Sequence, residues 1–171
     1  MKKLIFILCI FFIHLFAYSQ NCRFISSQDN EGFKFVTSEG EKIYNNSNLK
    51  LFLYFSKTVS MGTTMYYLML DHKYKSKNTI RIDTIKSLSC LQSTGNRLKF
   101  FSGVPVDFGA KEMSSVYSIS KDKLFKLLAA PCVEFEIEMT DEYGKEEKYS
   151  WAIKPKYQNI IMRNADCILN E

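Results

Sequence analysis

Two segments of the chain decide its fold: VEFEIEM at residues 133–139 and KYSWAI at residues 148–153. In both segments large apolar residues alternate with charged or small ones, which is typical of strands with one buried and one solvated face. Placing Phe135 opposite Trp151 collects the large apolar side chains on one face. A shift by one residue would set glutamates opposite aromatic rings, so this register is strongly specified.

The turn between the two segments supports the same register. It leaves Glu142–Gly144 as a three-residue loop and sets Glu138 beside Lys148 on the solvated face. Gly144 then falls at the left-handed position that such loops require, and glycine adopts this conformation without a steric cost. We therefore predict an antiparallel hairpin over residues 133–153.

A helix near residues 121–130 is predicted just before this hairpin. The hydroxyl of Ser120 can cap its N-terminus, and Asp122 suits the positive end of the helix dipole. Pro131 ends the helix, because the residue before a proline is disfavoured in the helical region. The apolar residues of the predicted buried face are Leu124, Phe125, Leu127 and Leu128.

A short amphipathic helix is predicted at the C-terminus. Its apolar residues have the spacing of one helical face. They are Ile161, Ala165, Ile168 and Leu169.

Further apolar segments predict strands at residues 24–26, 33–36, 49–55, 65–70, 79–83, 88–92 and 97–101. Residues 49–55 are apolar on both faces apart from Lys50, which predicts a central strand covered on both sides. Residues 103–111 contain two glycines and a proline and are predicted to form a loop. Strands followed by helices indicate an α+β fold, built mostly on an antiparallel β-sheet of about eight strands.

Residues 1–19 have the three parts of a secretory signal peptide. Two lysines give a positive start, residues 4–16 carry no formal charge, and small residues at positions 17 and 19 suit a cleavage site. As a helix the apolar run would span about 20 Å, against about 30 Å for a bilayer core. We expect export to the periplasm or the cell exterior, with residues 20–171 forming a single β-rich domain without a membrane span.

The charge of the chain does not favour a nucleic-acid partner. The formal net charge of +5 falls by two, to +3, when the two signal lysines are removed. Nineteen lysines stand against four arginines, whereas base and phosphate recognition favours the arginine fork.

Four cysteines remain after the signal: Cys22, Cys90, Cys132 and Cys167. An even number of cysteines in an exported chain predicts two disulfides, and sequence alone leaves three pairings open. Buried free thiols are the alternative. No two of these cysteines have the spacing of a zinc site, so no metal is expected. The few glycines lie in turns and form no phosphate-binding loop, so no cofactor is expected either.

Residues that could carry catalysis are few. His72 is the single histidine outside the signal, and we interpret it as an exposed residue near a strand end. Glu134, Glu136 and Glu138 could form a glycosidase pair, but their alternation with apolar residues indicates a solvated sheet face. No catalytic residue is therefore predicted. The sequence does not decide whether the protein is an enzyme, and it favours a non-enzymatic role.

One basic run is a candidate patch for an anionic ligand. It consists of His72, Lys73, Tyr74, Lys75 and Lys77, where the tyrosine offers a ring for stacking. An ordinary lysine-rich hairpin loop is the alternative interpretation.

The layout of the chain resembles that of uncharacterised small secreted proteins of Bacteroidetes. The resemblance rests on the signal ending in Tyr18-Ser19-Gln20 and on Tyr117-Ser118-Ile119-Ser120 opening a helix before an acidic hairpin. It implies an exported protein and no particular activity. Asp83-Thr84-Ile85 also resembles the O-glycosylation acceptor of that group, which makes Thr84 a candidate modification site.

These observations favour an exported, non-enzymatic binding or interaction domain. Its partner would be a protein or a polysaccharide of the cell envelope. The alternatives are a small secreted hydrolase that uses His72 and an inhibitor-type module with a loop held by disulfides.

Overall fold

A computed structural model gives the structure of the chain. It describes residues 22–28, 32–45, 49–74, 82–107, 112–141 and 143–171. The predicted signal peptide lies outside these residues, as does the N-terminal part of the strand predicted at 79–83.

Ten strands and two helices are found in these ranges. The strands are β1 Phe24–Gln28, β2 Lys34–Ser38, β3 Glu41–Asn45, β4 Leu49–Ser60, β5 Thr63–Tyr74, β6 Ile82–Gln92, β7 Arg97–Asp107, β8 Glu112–Ile119, β9 Cys132–Asp141 and β10 Glu146–Ala152. The helices are α1 Lys121–Ala129 and α2 Pro155–Asn170. The predicted α+β class with a mostly antiparallel sheet is confirmed.

All strand pairs among the described residues are antiparallel, in the order β1-β2-β4-β5-β8-β7-β6-β9-β10. Strands β2 and β3 lie end to end along one edge of β4, since β2 pairs with Ser56–Val59 and β3 with Lys50–Leu53. The sequence did not predict β3 and β8, which raise the number of strands above about eight.

The hairpin of β9 and β10 has the predicted register. Phe135 pairs with Trp151, and Glu138 with Lys148. Gly144 has a φ of +78°, as the predicted turn requires. Phe135 and Trp151 are buried, at 1% and 7% exposure.

The loop predicted at residues 103–111 was wrong for residues 103–107, which belong to strand β7. The strand continues to Asp107, across Gly103 and Pro105. Its pairing with β8 changes register between Ser102 and Pro105. A bulge of this kind accommodates a proline, which cannot donate to a regular ladder. Residues 108–111 lie outside the described part of the chain.

The core lies between the helices and one face of the sheet, called here the inner face. Residues from β4, β5, β6, β9 and both helices form one buried cluster. Although β3 and β10 lie near opposite ends of the sheet, the rings of Tyr44 and Trp151 are 6.1 Å apart between centroids. The sheet therefore curls around the helices, and this curvature brings its two ends together.

Helix α1 has the predicted boundaries and cap. The backbone N–H of Lys123 donates to the Ser120 hydroxyl at 3.2 Å, and the helix ends before Pro131. At the other end the buried amide of Gln92 donates to the carbonyls of Lys126 and Ala130. Helix ends need such partners because no N–H group within the helix donates to the last carbonyls.

One side chain of α1 was placed wrongly by the sequence pattern. Phe125 is 55% exposed, whereas Leu124 and Leu127 are buried. At 100° per residue, Phe125 lies at the margin of the buried stripe rather than within it.

Helix α2 is longer than the short helix predicted for this region. It begins at Pro155, and its buried residues include Ile161, Ala165 and Ile168. Proline suits the first turn of a helix because the N–H it lacks has no partner there. None of the helices in the described ranges has the length and apolar character needed to cross a bilayer.

The four cysteines form two pairs at disulfide distance. Cys22 pairs with Cys167 of α2, and Cys90 of β6 pairs with Cys132 of β9. The predicted disulfides are thereby supported, and the pairing that the sequence left open is assigned. Neither pair closes a short loop, so the disulfide-held loop of an inhibitor-type module gains no support.

Candidate functional site

His72 lies on the inner face of the sheet. It pairs with Leu51 of β4 and Met113 of β8, and its exposure is 1%. The prediction of an exposed histidine was therefore wrong, because residue 72 has the same strand parity as the core residues Leu68 and Leu70. Burial lowers the pKa of His72 to about 4. A substrate would have to displace the core to reach this imidazole, so the structure gives the hydrolase alternative no support.

The burial of His72 predicts a pH dependence of stability. The folded pKa of about 4 lies below the ordinary value of 6.5, so the unfolded chain binds the proton first as the pH falls. The contribution of His72 is complete above about pH 6.5 and decreases towards pH 4, a loss of about 3 kcal/mol. Urea unfolding of the wild type and of His72→Leu at pH 7, 5 and 4 measures it. An unchanged difference between the two proteins across these pH values would contradict the burial.

The candidate basic patch does not lie on one face of the sheet, because neighbouring residues of a strand point to opposite faces. Lys73 points to the opposite, outer face of the sheet, so His72 cannot form part of an exposed patch with it. Tyr74 ends β5, but its side chain, like Lys75 and Lys77, lies outside the described part of the chain. For those three residues the anionic patch stays a prediction.

The outer face of β4, β5 and β8 carries polar and aromatic side chains. The residues of this outer polar face are Lys50, Phe52, Tyr54, Asp71, Lys73 and Ser114. Leu51, Leu53 and Phe55, which alternate with them along β4, are buried in the core with α2. The prediction that β4 is covered on both sides was therefore wrong, because Phe52 and Tyr54 are partly exposed.

Asp71 is the centre of the hydrogen bonds on the outer polar face. Ser114 of β8, directly opposite, donates its hydroxyl hydrogen bond to the Asp71 carboxylate. The hydroxyl of Tyr54 donates to the same carboxylate from β4. Burial, followed by the hydrogen bond and charge of Asp71, raises the pKa of Tyr54. The three side chains thus form one row across three strands.

The ring of Tyr54 lies close to the backbone at Gly40. A Cβ atom at Gly40, between β2 and β3, would lie 2.1 Å from Cε1 of Tyr54. Such a distance is a clash, so a side chain at position 40 would displace the ring. Glycine at this position therefore leaves the space that the Tyr54 ring occupies at one end of the outer polar face.

Phe52 and Lys73 form the other part of this face. The ammonium of Lys73 lies 5.7 Å from the centroid of the Phe52 ring and 3.0 Å from the Glu112 carboxylate. Lys50 lies directly opposite Lys73 in the register of β4 and β5. A partly exposed ring with an ammonium group beside it can contact both the apolar and the polar parts of a ligand.

The acidic strand β9 is a different kind of surface. Glu138 lies 2.8 Å from both Lys148 and Lys99, and Ser87 donates to it at 2.7 Å. Hydrogen bonds from Lys148, Lys99 and Ser87, in that order, lower the pKa of Glu138 to about 2.

Glu134 and Glu136 both lie near Arg97, at 4.0 Å and 3.2 Å. The structure therefore agrees with a solvated sheet face of paired charges, and a glycosidase pair at these carboxylates gains no support.

Thr84 lies in β6, between positions that interrupt the register with β9. Its side chain lies outside the described part of the chain, so its modification stays a prediction. Within the described ranges, no three His, Cys, Asp or Glu side chains converge as metal ligands.

Comparison with protein-family models, with curated proteins and with solved structures gives no match for this chain.

The sequence predicted a patch for an anionic ligand in the basic run at the end of β5, and it did not predict the outer polar face. The signal that could have found it is the turn at Met61-Gly62, where Gly62 has a φ of +77°. Counting outward from this turn pairs Phe52 with Asp71 and Lys50 with Lys73. The contribution of Ser114 could not be found in this way, because β8 is distant in sequence.

Proposed function

We propose that this chain is an exported, non-enzymatic binding domain that holds a polysaccharide of the cell envelope on its outer polar face. The observation that carries the proposal is the row of Tyr54, Asp71 and Ser114 beside the partly exposed ring of Phe52. Sugar rings present apolar C–H faces and hydroxyl groups that both donate and accept hydrogen bonds. A ring beside carboxylate and hydroxyl oxygens is complementary to both features.

The proposal of export is supported by two features. The first 19 residues have the pattern of a signal peptide, and both cysteine pairs are at disulfide distance. Disulfides persist in oxidising compartments such as the periplasm and the cell exterior.

Replacing Phe52 with alanine should weaken binding to a polysaccharide by about five- to thirtyfold, which corresponds to about 1–2 kcal/mol of lost contact. Isothermal titration calorimetry against a panel of neutral and acidic polysaccharides measures the affinity. Circular dichroism checks that the variant is folded.

Phe125→Ala is the matched control. Phe125 of α1 is also an exposed ring near an ammonium, with Lys121 at 5.9 Å from its centroid. We expect this variant to bind as the wild type does. Equal loss in both variants, or no loss in Phe52→Ala, would refute the outer polar face as the binding site.

A further inference from the structure

Three lysines are neighbours of Phe52 in the strand register on the outer face of the sheet. Lys42 of β3 pairs directly with Phe52, Lys50 precedes it by two residues on β4, and the Lys73 ammonium is 5.7 Å from its centroid. The neighbouring Glu41 meets Arg163 of α2 at 3.3 Å on the inner side. Lys42 must therefore lie on the outer face with Phe52.

Two of these ammonium groups have no carboxylate partner in the described part of the chain. Lys73 is paired with Glu112 at 3.0 Å, whereas neither Lys42 nor Lys50 lies within ion-pair distance of a described carboxylate. Lys50 and Lys73 are also direct cross-strand neighbours. Like charges directly opposite each other on neighbouring strands are destabilising. A negative ligand would remove this repulsion.

We propose that the ligand is an acidic polysaccharide whose sugar units carry carboxylates, an inference that rests on the proposed function. A sugar ring packed on Phe52 would place its carboxylate among Lys42, Lys50 and Lys73. Asp71, which accepts a hydrogen bond from the buried Ser114, would remain on the other side of the Phe52 ring to contact the hydroxyls of the sugar. Each lysine can meet a carboxylate as a compact point charge.

The test uses mature protein with polygalacturonate, alginate and hyaluronate, each beside its methyl-esterified form. Esterification removes the carboxylate charge and keeps the sugar backbone. We expect the acid forms to bind at least about fivefold more tightly than the esters, and the difference to shrink as salt rises from about 0.05 M to about 0.5 M. Poly-L-glutamate, which has carboxylates without sugar rings, should bind more weakly than the acid polysaccharides.

Charge variants locate the effect. Lys42→Gln and Lys50→Gln should each lower the affinity for the acid forms by about 1.5- to fivefold and leave the affinity for the esters unchanged. Lys121→Gln is the matched control, because this lysine also lies over a phenylalanine ring, on α1. It should not change either affinity.

The outcomes separate the two proposals. If acid and ester bind equally and Phe52→Ala weakens both, the acidic class is wrong and the proposed function stands. If only poly-L-glutamate is bound, or no polymer is bound, both proposals are wrong. If Lys121→Gln weakens binding as much as Lys50→Gln, the lysines around Phe52 are not the site.

Discussion

Replacing Trp151 with alanine should lower the free energy of unfolding by about 3–5 kcal/mol. The single tryptophan of the chain is 7% exposed, pairs with Phe135 across β9 and β10, and contacts Tyr44 from the far end of the sheet. Its removal would leave a cavity at the place where the curled sheet closes. Urea unfolding followed by circular dichroism measures the loss.

Ser150→Ala is the control for this prediction, because Ser150 is the exposed neighbour on the same strand. We expect it to change the free energy of unfolding by less than about 0.5 kcal/mol. In the wild type, tryptophan fluorescence should shift to longer wavelength on unfolding. Native emission equal to that of free tryptophan would show that the ring is not buried.

Removing either disulfide should have an effect of similar size. The cysteines of Cys22–Cys167 are 145 residues apart and those of Cys90–Cys132 are 42 apart. From chain entropy alone, replacing both cysteines of a pair by alanine should lower the free energy of unfolding by about 5 kcal/mol for the first pair and about 4 kcal/mol for the second.

Peptide mapping by mass spectrometry without reduction checks the pairing directly. We expect one cross-linked peptide that contains Cys22 with Cys167 and another that contains Cys90 with Cys132. Mutating one pair should leave the other protected from alkylation. Four reactive thiols in the denatured, unreduced protein would contradict both the pairing and the stabilities that follow from it.

The parts of the fold that could be predicted are those fixed by local chemistry. In β9 and β10 the alternation of side chains and the left-handed turn at Gly144 require the same register. In α1 the cap at Ser120 and the stop at Pro131 delimit the helix without reference to its neighbours. Short-range rules therefore sufficed for these elements.

The parts that were missed depend on distant residues. Strand β8 has a serine-rich sequence, and the buried hydroxyl of Ser115 is satisfied by donating to the carbonyl of Leu70 on the neighbouring strand. Strand β3 is short and lies beside β4 where β2 ends. Neither position follows from local periodicity, since sheet pairing overrides weak intrinsic preference.

The candidate site was missed for the same reason. An apolar count over β4 predicts burial on both faces, but the helices cover only the face of Leu51 and Leu53. Phe52 and Tyr54 remain partly exposed, and they meet Asp71 from β5 and Ser114 from β8. The hairpin of β4 and β5, once recognised, would have placed His72 on the buried face and Lys73 on the outer face.

The link between Cys22 and Cys167 also determines how the domain would respond to mechanical force. Its two Cα atoms are 5.8 Å apart, although 145 residues of chain separate them. A pull applied to the chain before Cys22 and after Cys167 would pass through the covalent bond and leave the sheet unloaded. The strands between them could then be neither unzipped nor sheared by tension, so the outer polar face would keep its shape while the protein is held at both ends.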